Sequence, residues 1–153
     1  LGCSPGSWLQ YASRKVGNSG HILGVDLQPV NISLPSYVKV MQADILELTY
    51  EELEIEEGQV DIILSDLAPK TSGIRTTDAH RSFDLNKKVL NLANNILCLE
   101  GTLLLKAFQG TLLDELCFEF RKMFAKVKLC KPKSSRPESI EIFILGTGKR
   151  KTI

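Results

Sequence analysis

The sequence predicts a single α/β domain over residues 1–153, built on a doubly wound, mostly parallel sheet with helices on both faces. Three observations predict this class: short apolar runs without polar alternation, amphipathic segments between them, and no internal repeat. The chain has 153 residues, of which 43% are hydrophobic and 24% charged. A chain of this size buries about 70% of its unfolded surface, so it can build a core without disulfides or metals.

Glycine stops and apolar periodicity place the elements along the chain. A helix over 8–16 ends at the glycine-rich stretch 17–20, a strong stop signal. Strands are predicted at six apolar runs: 21–26, 38–42, 60–66, 101–108, 126–130 and 140–146. Amphipathic segments predict the other helices, at 47–57, 81–99 and 112–124. The last two strands are close enough in sequence to form an antiparallel hairpin, which would finish an otherwise parallel sheet.

The composition excludes several other classes of protein. It fits neither a disordered chain nor a disulfide scaffold, and no run of about 18 apolar residues could span a bilayer. The chain has two histidines and no CxxC pair, and its cysteines stand singly: Cys3, Cys98, Cys117 and Cys130. We therefore expect a soluble, cytoplasmic protein with reduced cysteines in its core, without a metal and without a membrane partner.

The first residues form a glycine loop that has no strand in front of it. A glycine turn of this type normally follows a buried strand, so we expect the natural protein to continue upstream and its first strand to be missing here. In a eukaryote, a mitochondrial targeting segment would be lost with the same residues, and a mitochondrial location is the alternative to the cytoplasm.

The charge of the chain is divided unevenly. Residues 1–120 carry nine basic and sixteen acidic side chains, whereas residues 121–153 carry ten basic and two acidic ones. Clustered basic charge is typical of a site for a polyanion, and nucleic acid is the favoured partner, with a merely solubilising face as the alternative.

Glycines and acids gather at the carboxyl ends of the predicted strands, where ligands bind in sheets of this class. Gly2 and Gly6 let the backbone of the first turn approach a ligand closely, and Asp26 at the end of the next strand can hold a ribose diol. Asp44 either accepts a hydrogen bond from an adenine amino group or caps the segment that follows it. With Asp66, three carboxylates disfavour a phosphate but tolerate a cofactor that bears a sulfonium cation. A nicotinamide dehydrogenase is disfavoured because the third glycine of GxGxxG is absent.

Six motifs, in order along essentially the whole chain, resemble the FtsJ-like RNA ribose 2'-O-methyltransferases, which use S-adenosylmethionine. The opening LGCSPGSW is similar to the family's DLGxxPGGW loop, and GVDL and QAD are similar to its second-strand and adenine-side acids. SDLAPKTSG is similar to SDMAPxxSG, and LKAFQG to VKxFQG. The sixth motif has two parts, KPKSSR and SIEIF, which are similar to KPxSSR and SxEVY. The FQG and SSR motifs favour the bacterial type, which modifies large-subunit ribosomal RNA.

The resemblance implies a Rossmann-like S-adenosylmethionine-dependent methyltransferase fold with an antiparallel last strand. It assigns the cofactor contacts to loop glycines, a tryptophan and three acids: Gly2, Gly6, Trp8, Asp26, Asp44 and Asp66. Ser7 departs from the family's pattern, because it replaces the second glycine of the loop and slightly narrows it. The family's Lys-Asp-Lys-Glu set is three-quarters present, since its first lysine would lie upstream of Leu1.

The same resemblance implies that Lys106, Asp66 and Glu141 are the catalytic residues. The apolar run 103–105 favours a neutral amine on Lys106, whereas the two carboxylates favour its ammonium form. Two roles are therefore open: a general base toward the ribose hydroxyl, or a cation that orients the hydroxyl and relays its proton. Without the resemblance, Lys106 would be interpreted as a strand-end lysine that reaches water, and Glu141 as an edge charge.

RNA is expected across the basic part of the chain, with Lys131, Lys133 and Arg136 as the RNA-binding residues. The polar stretch 70–81 is expected to be a lid over the target nucleotide, and the tail 149–151 to be frayed and solvated. The expected partner is ribosomal RNA within the large ribosomal subunit, and the chain is expected to be a monomer. The alternatives are transfer RNA as the substrate, or a non-catalytic RNA-binding or ribosome-assembly factor on the same fold.

Overall fold

The computed structural model describes residues 1–70, 72–132 and 139–151. The chain divides into two compact units, Leu1–Leu48 and Thr49–Ile153. The single domain expected over the whole chain stays a prediction. No helix in the described ranges is long and apolar enough to cross a membrane.

The unit Leu1–Leu48 consists of one helix and a pair of parallel strands. Its elements are α1 (Ser7–Val16), β1 (Ile22–Asp26) and β2 (Val38–Gln42). Apolar side chains from the opening loop, the helix and the strands form its core: Cys3, Leu9, Val38, Ile22, Val30, Leu34 and Tyr37. All three elements begin and end within one residue of the bounds predicted from the sequence. The two strands run in register, so their carboxyl ends lie side by side.

The unit Thr49–Ile153 has a four-stranded mixed sheet in the order β3-β4-β6-β5. Its strands are β3 (Val60–Ser65), β4 (Leu97–Phe108), β5 (Phe124–Cys130) and β6 (Glu141–Lys149). Strand β3 is parallel to β4, and β6 runs antiparallel to both β4 and β5. The predicted hairpin and antiparallel last strand are therefore confirmed.

Two helices, α2 (Arg75–Ile96) and α3 (Leu113–Met123), cover one face of this sheet. They contact each other and the strands, and the strand residues facing them are buried: Leu103, Leu105, Ala107, Ile142 and Ile144. From α3, Leu116 and Phe120 are buried as well, and the Phe120 ring lies 5.5 Å from that of Phe124. The alternation of buried and partly exposed residues along β4 and β6 leaves the opposite face of the sheet with partly exposed side chains, among them Lys106 and Glu141.

The cysteines are all reduced, as predicted, but only two of them belong to the core. Cys3 and Cys117 are buried, and burial raises the pKa of both thiols. Cys98 and Cys130 are partly exposed. The expectation of four core cysteines is thus correct for Cys3 and Cys117 alone.

The acidic segment 47–57, predicted to be a helix, forms only a single 3-10 turn, Glu51–Leu53. The turn starts with a capping arrangement, in which the Thr49 N–H donates to Glu52 Oε2 over 2.7 Å. It ends because Glu54 adopts a left-handed backbone with φ of 54°. Carboxylates spaced four residues apart repel each other along a helix, so this prediction, based on amphipathicity, was wrong.

Helix α2 begins six residues earlier than predicted, at Arg75. Asp78, in its first turns, accepts hydrogen bonds from the Ser72 N–H at 2.7 Å and the Gly73 N–H at 3.2 Å. These bonds tie the end of the preceding loop to the helix. Residues 75–81 of the stretch expected to be a lid form the first turns of α2, and the lid itself stays a prediction.

The basic tail is tied to the fold, contrary to the expectation that it is frayed. Lys149 is the last residue of β6, is 7% exposed, and donates from Nζ to the Leu97 carbonyl over 2.9 Å. The Arg150 N–H donates to the Met123 carbonyl over 2.8 Å. The expectation failed because a long lysine stem can be buried when its ammonium reaches a carbonyl at a helix end.

Candidate active site

In the first unit, the glycine loop is held against strand β1 by hydrogen bonds. The Gly2 N–H donates to the Val25 carbonyl over 2.8 Å, and the Ser4 N–H donates to Asp26 Oδ2 over 2.7 Å. The other oxygen of Asp26, Oδ1, accepts from the Gln28 N–H over 2.8 Å. Asp26 therefore fixes the shape of the loop on both sides of the strand end, and its remaining lone pairs can accept further donors.

Gly6 is required by the geometry of the turn that starts helix α1. Its φ is 124°, a region that side chains rarely adopt, and an added Cβ would lie 2.3 Å from Ile32 Cδ1. Gly6 is buried, and its carbonyl accepts the Gln10 N–H of the first helical turn over 3.0 Å. The helix thus begins directly after the loop. Trp8, in its first turn, is partly exposed.

Asp44 lies two residues beyond the end of β2 and caps the turn that follows it. Its Oδ1 accepts the Leu46 N–H over 2.9 Å, and its carbonyl accepts the Leu48 N–H over 3.0 Å. Of the two alternatives left open by the sequence, the capping contact is present in the structure. Because Asp44 is exposed and each carboxylate oxygen has two lone pairs, the cap leaves acceptor capacity for a ligand.

In the second unit, Lys106, Asp66 and Glu141 come together as an ion cluster. Lys106 Nζ lies 3.1 Å from Asp66 Oδ1 and 3.5 Å from Glu141 Oε1. The lysine side chain is 11% exposed, against 32% for Asp66 and 46% for Glu141. The amine is thus the most enclosed member of the cluster, and its open side faces two carboxylates that solvent can reach. Such a group can hold a hydroxyl and move its proton.

The sheet register explains why these three side chains meet. Ser65, the last residue of β3, is opposite Leu105 in the parallel pair, so Asp66 follows beside Lys106. In the antiparallel pair, Glu141 is opposite Phe108, two residues from Lys106 on the same face. The Gln109 N–H donates to the Ile140 carbonyl over 2.7 Å, which holds the end of β4 to the start of β6.

Only one of the three predicted RNA-binding residues lies within the described chain. Lys131 is exposed, and its Nζ donates to the Ser139 carbonyl over 2.8 Å. Lys133 and Arg136 lie outside the described residues. The structure therefore shows Lys131 joining the two ends of its loop.

Two side chains of the second unit were missed by sequence reasoning. Phe143 was noted only as part of a motif, although its spacing of two from Glu141 places both on one face of a strand. Asp78 was not considered, although an acid in the first turns of a helix after a Ser-Gly pair is a recognisable anchor. Hydrogen bonds from the Ser72 N–H and hydroxyl, then from Gly73, lower the pKa of Asp78, and the Arg81 charge adds to this.

Comparisons with known proteins agree on one family for this chain. A model of the FtsJ-like methyltransferase family matches residues 1–149. A Bdellovibrio bacteriovorus protein named ribosomal RNA large subunit methyltransferase E is 45% identical over 153 residues, spanning 98% of this chain and 78% of that protein. A protein of the same name from Methanothermobacter thermautotrophicus is 41% identical over 148 residues, spanning 95% of this chain and 70% of the other.

Solved structures agree with these relatives. A crystal structure described as a Plasmodium falciparum ribosomal RNA methyltransferase has a TM-score of 0.83 at 26% identity, covering 97% of this chain and 83% of that one. Human methyltransferase-like protein 13 in complex with SAH has a TM-score of 0.67 at 17% identity, covering 99% and 71% of the two chains. At that identity, the human protein shares the fold alone.

Proposed function

Because the chain belongs to the FtsJ-like methyltransferase family, we propose that it transfers a methyl group from S-adenosylmethionine to a ribose 2'-hydroxyl of large-subunit ribosomal RNA. Relatives named ribosomal RNA large subunit methyltransferase E support the substrate class at 45% and 41% identity. The observation that carries the chemistry is the ion cluster, in which one enclosed amine lies 3.1 Å and 3.5 Å from two carboxylates.

The residues of the first unit fit the proposed cofactor by the chemistry of their acceptors. Asp26 ends β1 and Asp44 lies two residues after β2, the adjacent parallel strand, and both carboxylates accept backbone N–H groups while keeping acceptor capacity. Acceptors of this kind suit the ribose hydroxyls and the adenine amino group, and their negative charge tolerates a cation. Gly2, Gly6 and Trp8 form the loop and helix start beside Asp26. When bound, the cofactor supplies an electrophilic methyl group on a sulfonium.

The residues of the second unit handle the nucleophile. The ammonium of Lys106 donates a hydrogen bond to the 2'-oxygen and fixes the orientation of its lone pair. A bound sulfonium cofactor would supply the methyl carbon that this oxygen attacks, and its sulfur would keep the electron pair of the broken carbon–sulfur bond. The hydroxyl proton passes to the carboxylates of Asp66 and Glu141, and then to solvent. Charge is therefore balanced at each step, and no metal or redox partner is needed.

Positioning accounts for much of the rate in this proposal. Holding two reactants in the reactive geometry contributes roughly 7–11 kcal/mol to lowering a barrier. Proton transfer by a positioned group adds about 10²–10⁴-fold. Lys106 contributes to the positioning, because its ammonium orients the hydroxyl, and the carboxylates of Asp66 and Glu141 contribute to the proton transfer as acceptors.

The test is transfer of a tritiated methyl group onto large-subunit ribosomal RNA by the wild-type protein and by Lys106→Ala. We expect the substitution to lower the rate by at least about 10³-fold while leaving S-adenosylmethionine binding within about twofold. Lys122→Ala is the matched control, because Lys122 is also ion-paired, to Glu119 at 2.8 Å, but lies on α3. The control is expected to keep the wild-type rate.

Two results would contradict the proposal. A Lys106→Ala protein with an unchanged rate would remove the ion cluster from the chemistry. A wild-type protein that binds ribosomal RNA but transfers no methyl group to it would favour a non-catalytic RNA-binding factor, and transfer onto transfer RNA alone would change the substrate class.

A further inference from the structure

A second group of cations lies at the end of the sheet that is opposite to the ion cluster. Near one end of β6, Phe143 is opposite Lys106 of β4. At the other end of β6, Lys149 is opposite Phe124, the first residue of β5. From Phe143 to Lys149 the strand extends over about 20 Å, at about 3.3 Å per residue. The far end of the sheet is therefore well separated from the reacting groups.

Three segments of the chain meet at this far end: the last turn of α3, the start of β5 and the residues after β6. The Arg150 N–H donates to the Met123 carbonyl over 2.8 Å, and Arg150 Nη1 donates to the Arg121 carbonyl over 3.1 Å. Lys126 is opposite Thr147, which is about 10 Å along the chain from Arg150. The exposed cations of these segments form what we call the distal basic surface: Arg121, Lys126, Arg150 and Lys151.

The charge of the distal basic surface is largely uncompensated. Within the described part of the chain, none of its side chains forms an ion pair, and β5 contains no acidic residue. Lys122 lies beside Arg121 but is paired with Glu119 at 2.8 Å, so we leave it out of the surface. One carboxylate borders the surface, since Glu100 Oε2 would lie 3.3 Å from a Cβ on Gly148. Like charges held together repel each other, so this arrangement favours the binding of a polyanion.

The cations of the tail are fixed to the fold by hydrogen bonds. Lys149, just before them, is 7% exposed and donates to the Leu97 carbonyl over 2.9 Å. Arg150 is attached through both its backbone and its guanidinium. The guanidinium has five N–H groups, so its bond to the Arg121 carbonyl leaves donors for phosphate oxygens. A fixed cation loses less conformational freedom when it binds a phosphate than a solvated one does, which favours binding.

We propose that the distal basic surface binds the phosphate backbone of the RNA substrate at a point about 20 Å from the ribose that is methylated. This inference rests on the proposed function for its ligand. RNA recognition is thereby divided between two ends of one sheet, with the target ribose at the ion cluster and another part of the same RNA at the far end. A distance of about 20 Å corresponds to about six nucleotide steps at about 3.4 Å per step. Phosphate contacts carry no sequence information, so this surface supplies affinity and register but not sequence choice.

The first test removes three charges that make no hydrogen bond or ion pair within the described residues. The triple variant Arg121→Gln/Lys126→Gln/Lys151→Gln keeps the hydrogen bonds of Arg150, so Tm should not change. The slope of log affinity for large-subunit ribosomal RNA against log salt concentration should become shallower by about 2–3, since each phosphate contact contributes about 0.7–0.9. For the same reason, the KM for this RNA should rise by at least about tenfold at low salt, while kcat stays at the wild-type value.

The matched control removes three charges from other elements. Lys39→Gln/Lys87→Gln/Lys88→Gln changes the net charge by the same amount, with lysines that lie on β2 and α2. This control should keep the wild-type KM and salt dependence. An equal loss of salt dependence in the two triple variants would mean that only the net charge matters, and it would overturn the proposal. A wild-type salt dependence in the first triple variant would overturn it as well.

Protection of lysines from acetylation locates the contact without requiring methyl transfer. When large-subunit ribosomal RNA is bound, Lys126 and Lys151 should react more slowly with an acetylating reagent, as measured by mass spectrometry. Lys39 and Lys87 should react at the same rate with and without RNA. Polyglutamate at an equal concentration of charges should protect Lys126 and Lys151 less than the RNA does. Equal protection by polyglutamate would indicate an unspecific anion site and would overturn the assignment to RNA.

The distal basic surface and the proposed reaction can fail separately. If the RNA protects Lys126 and Lys151 but receives no methyl group, the proposed reaction fails and the surface stands. If the RNA is methylated, and the first triple variant keeps the wild-type KM and salt dependence, the surface fails and the reaction stands.

Discussion

The carboxylates of the two units have different kinds of partner. In Leu1–Leu48, Asp26 and Asp44 accept hydrogen bonds from backbone N–H groups of neighbouring loops. In Thr49–Ile153, Asp66 and Glu141 face the amine of Lys106. Backbone donors cannot lose their protons, so they fix the shape of a loop whatever the charge around it. An amine can exchange protons with what binds it, so the second arrangement is suited to chemistry and the first to holding a ligand.

The largest effect is expected from the carboxylate closest to the amine. Asp66→Asn should lower the single-turnover rate of methyl transfer by about 10²–10⁴-fold, because it removes the nearer proton acceptor at 3.1 Å. Glu141→Gln should cost only about tenfold, since that carboxylate is farther from the amine, at 3.5 Å, and more exposed. Equal losses in the two variants would show that the cluster acts as one symmetric unit.

Removing a carboxylate that accepts backbone N–H groups should change both cofactor binding and the structure of the loop. Asp26→Ala removes the acceptor of two N–H groups, at 2.7 Å and 2.8 Å, and should lower the free energy of unfolding by about 1–3 kcal/mol. It should also weaken S-adenosylmethionine binding by at least about tenfold, measured by calorimetry. Asp26→Asn keeps one acceptor oxygen and should lose less of both. Asp26→Ala with unchanged cofactor affinity would take this residue out of the binding site.

Asp78, in the second unit, also accepts hydrogen bonds from backbone N–H groups. Their contribution to stability can be tested by changing the pH. Its hydrogen bonds to Ser72 and Gly73 lower its pKa in the folded protein below the usual value of about 3.9. Its stabilising contribution is therefore complete above about pH 4 and is lost as the pH falls through the lowered folded pKa.

Urea unfolding at a series of pH values measures this contribution. Asp78→Asn should unfold at a lower urea concentration than the wild type at pH 7, and the difference should shrink toward pH 2.5. Asp84→Asn, which changes an exposed carboxylate on the same helix, is the control and should show no such difference. A gap between Asp78→Asn and the wild type that stays constant with pH would mean that the carboxylate charge is not involved.

The smallest effect is expected at Ser65, the residue before Asp66. Its hydroxyl is buried and has no hydrogen-bond partner among the described residues. Ser65→Ala should therefore leave the free energy of unfolding unchanged or raise it by up to about 1 kcal/mol, and should keep the methyl-transfer rate. A clear loss of stability in urea unfolding would reveal a partner for this hydroxyl.

Sequence reasoning was correct where the signal is local. The six strands were predicted from apolar runs, and the comparisons confirm the α/β methyltransferase fold and the family. It was wrong at 47–57, where amphipathicity outweighed the repulsion between carboxylates, and at Lys149, where a carbonyl distant in sequence receives the ammonium. The composition of the tail does not reveal a hydrogen-bond partner that is distant in sequence. A buried lysine such as Lys149 therefore cannot be distinguished from a solvated one by composition.

The sequence by itself determined the chemical groups and their order: a glycine loop, acids that follow apolar strands, and a lysine that ends one. Only the tertiary structure decided which of them act together. The antiparallel register of β4 and β6 places Glu141 and Phe143 beside Lys106, and a shift of one residue would turn both to the helix-covered face. That register depends on contacts between segments far apart in the chain, which no local pattern of residues records.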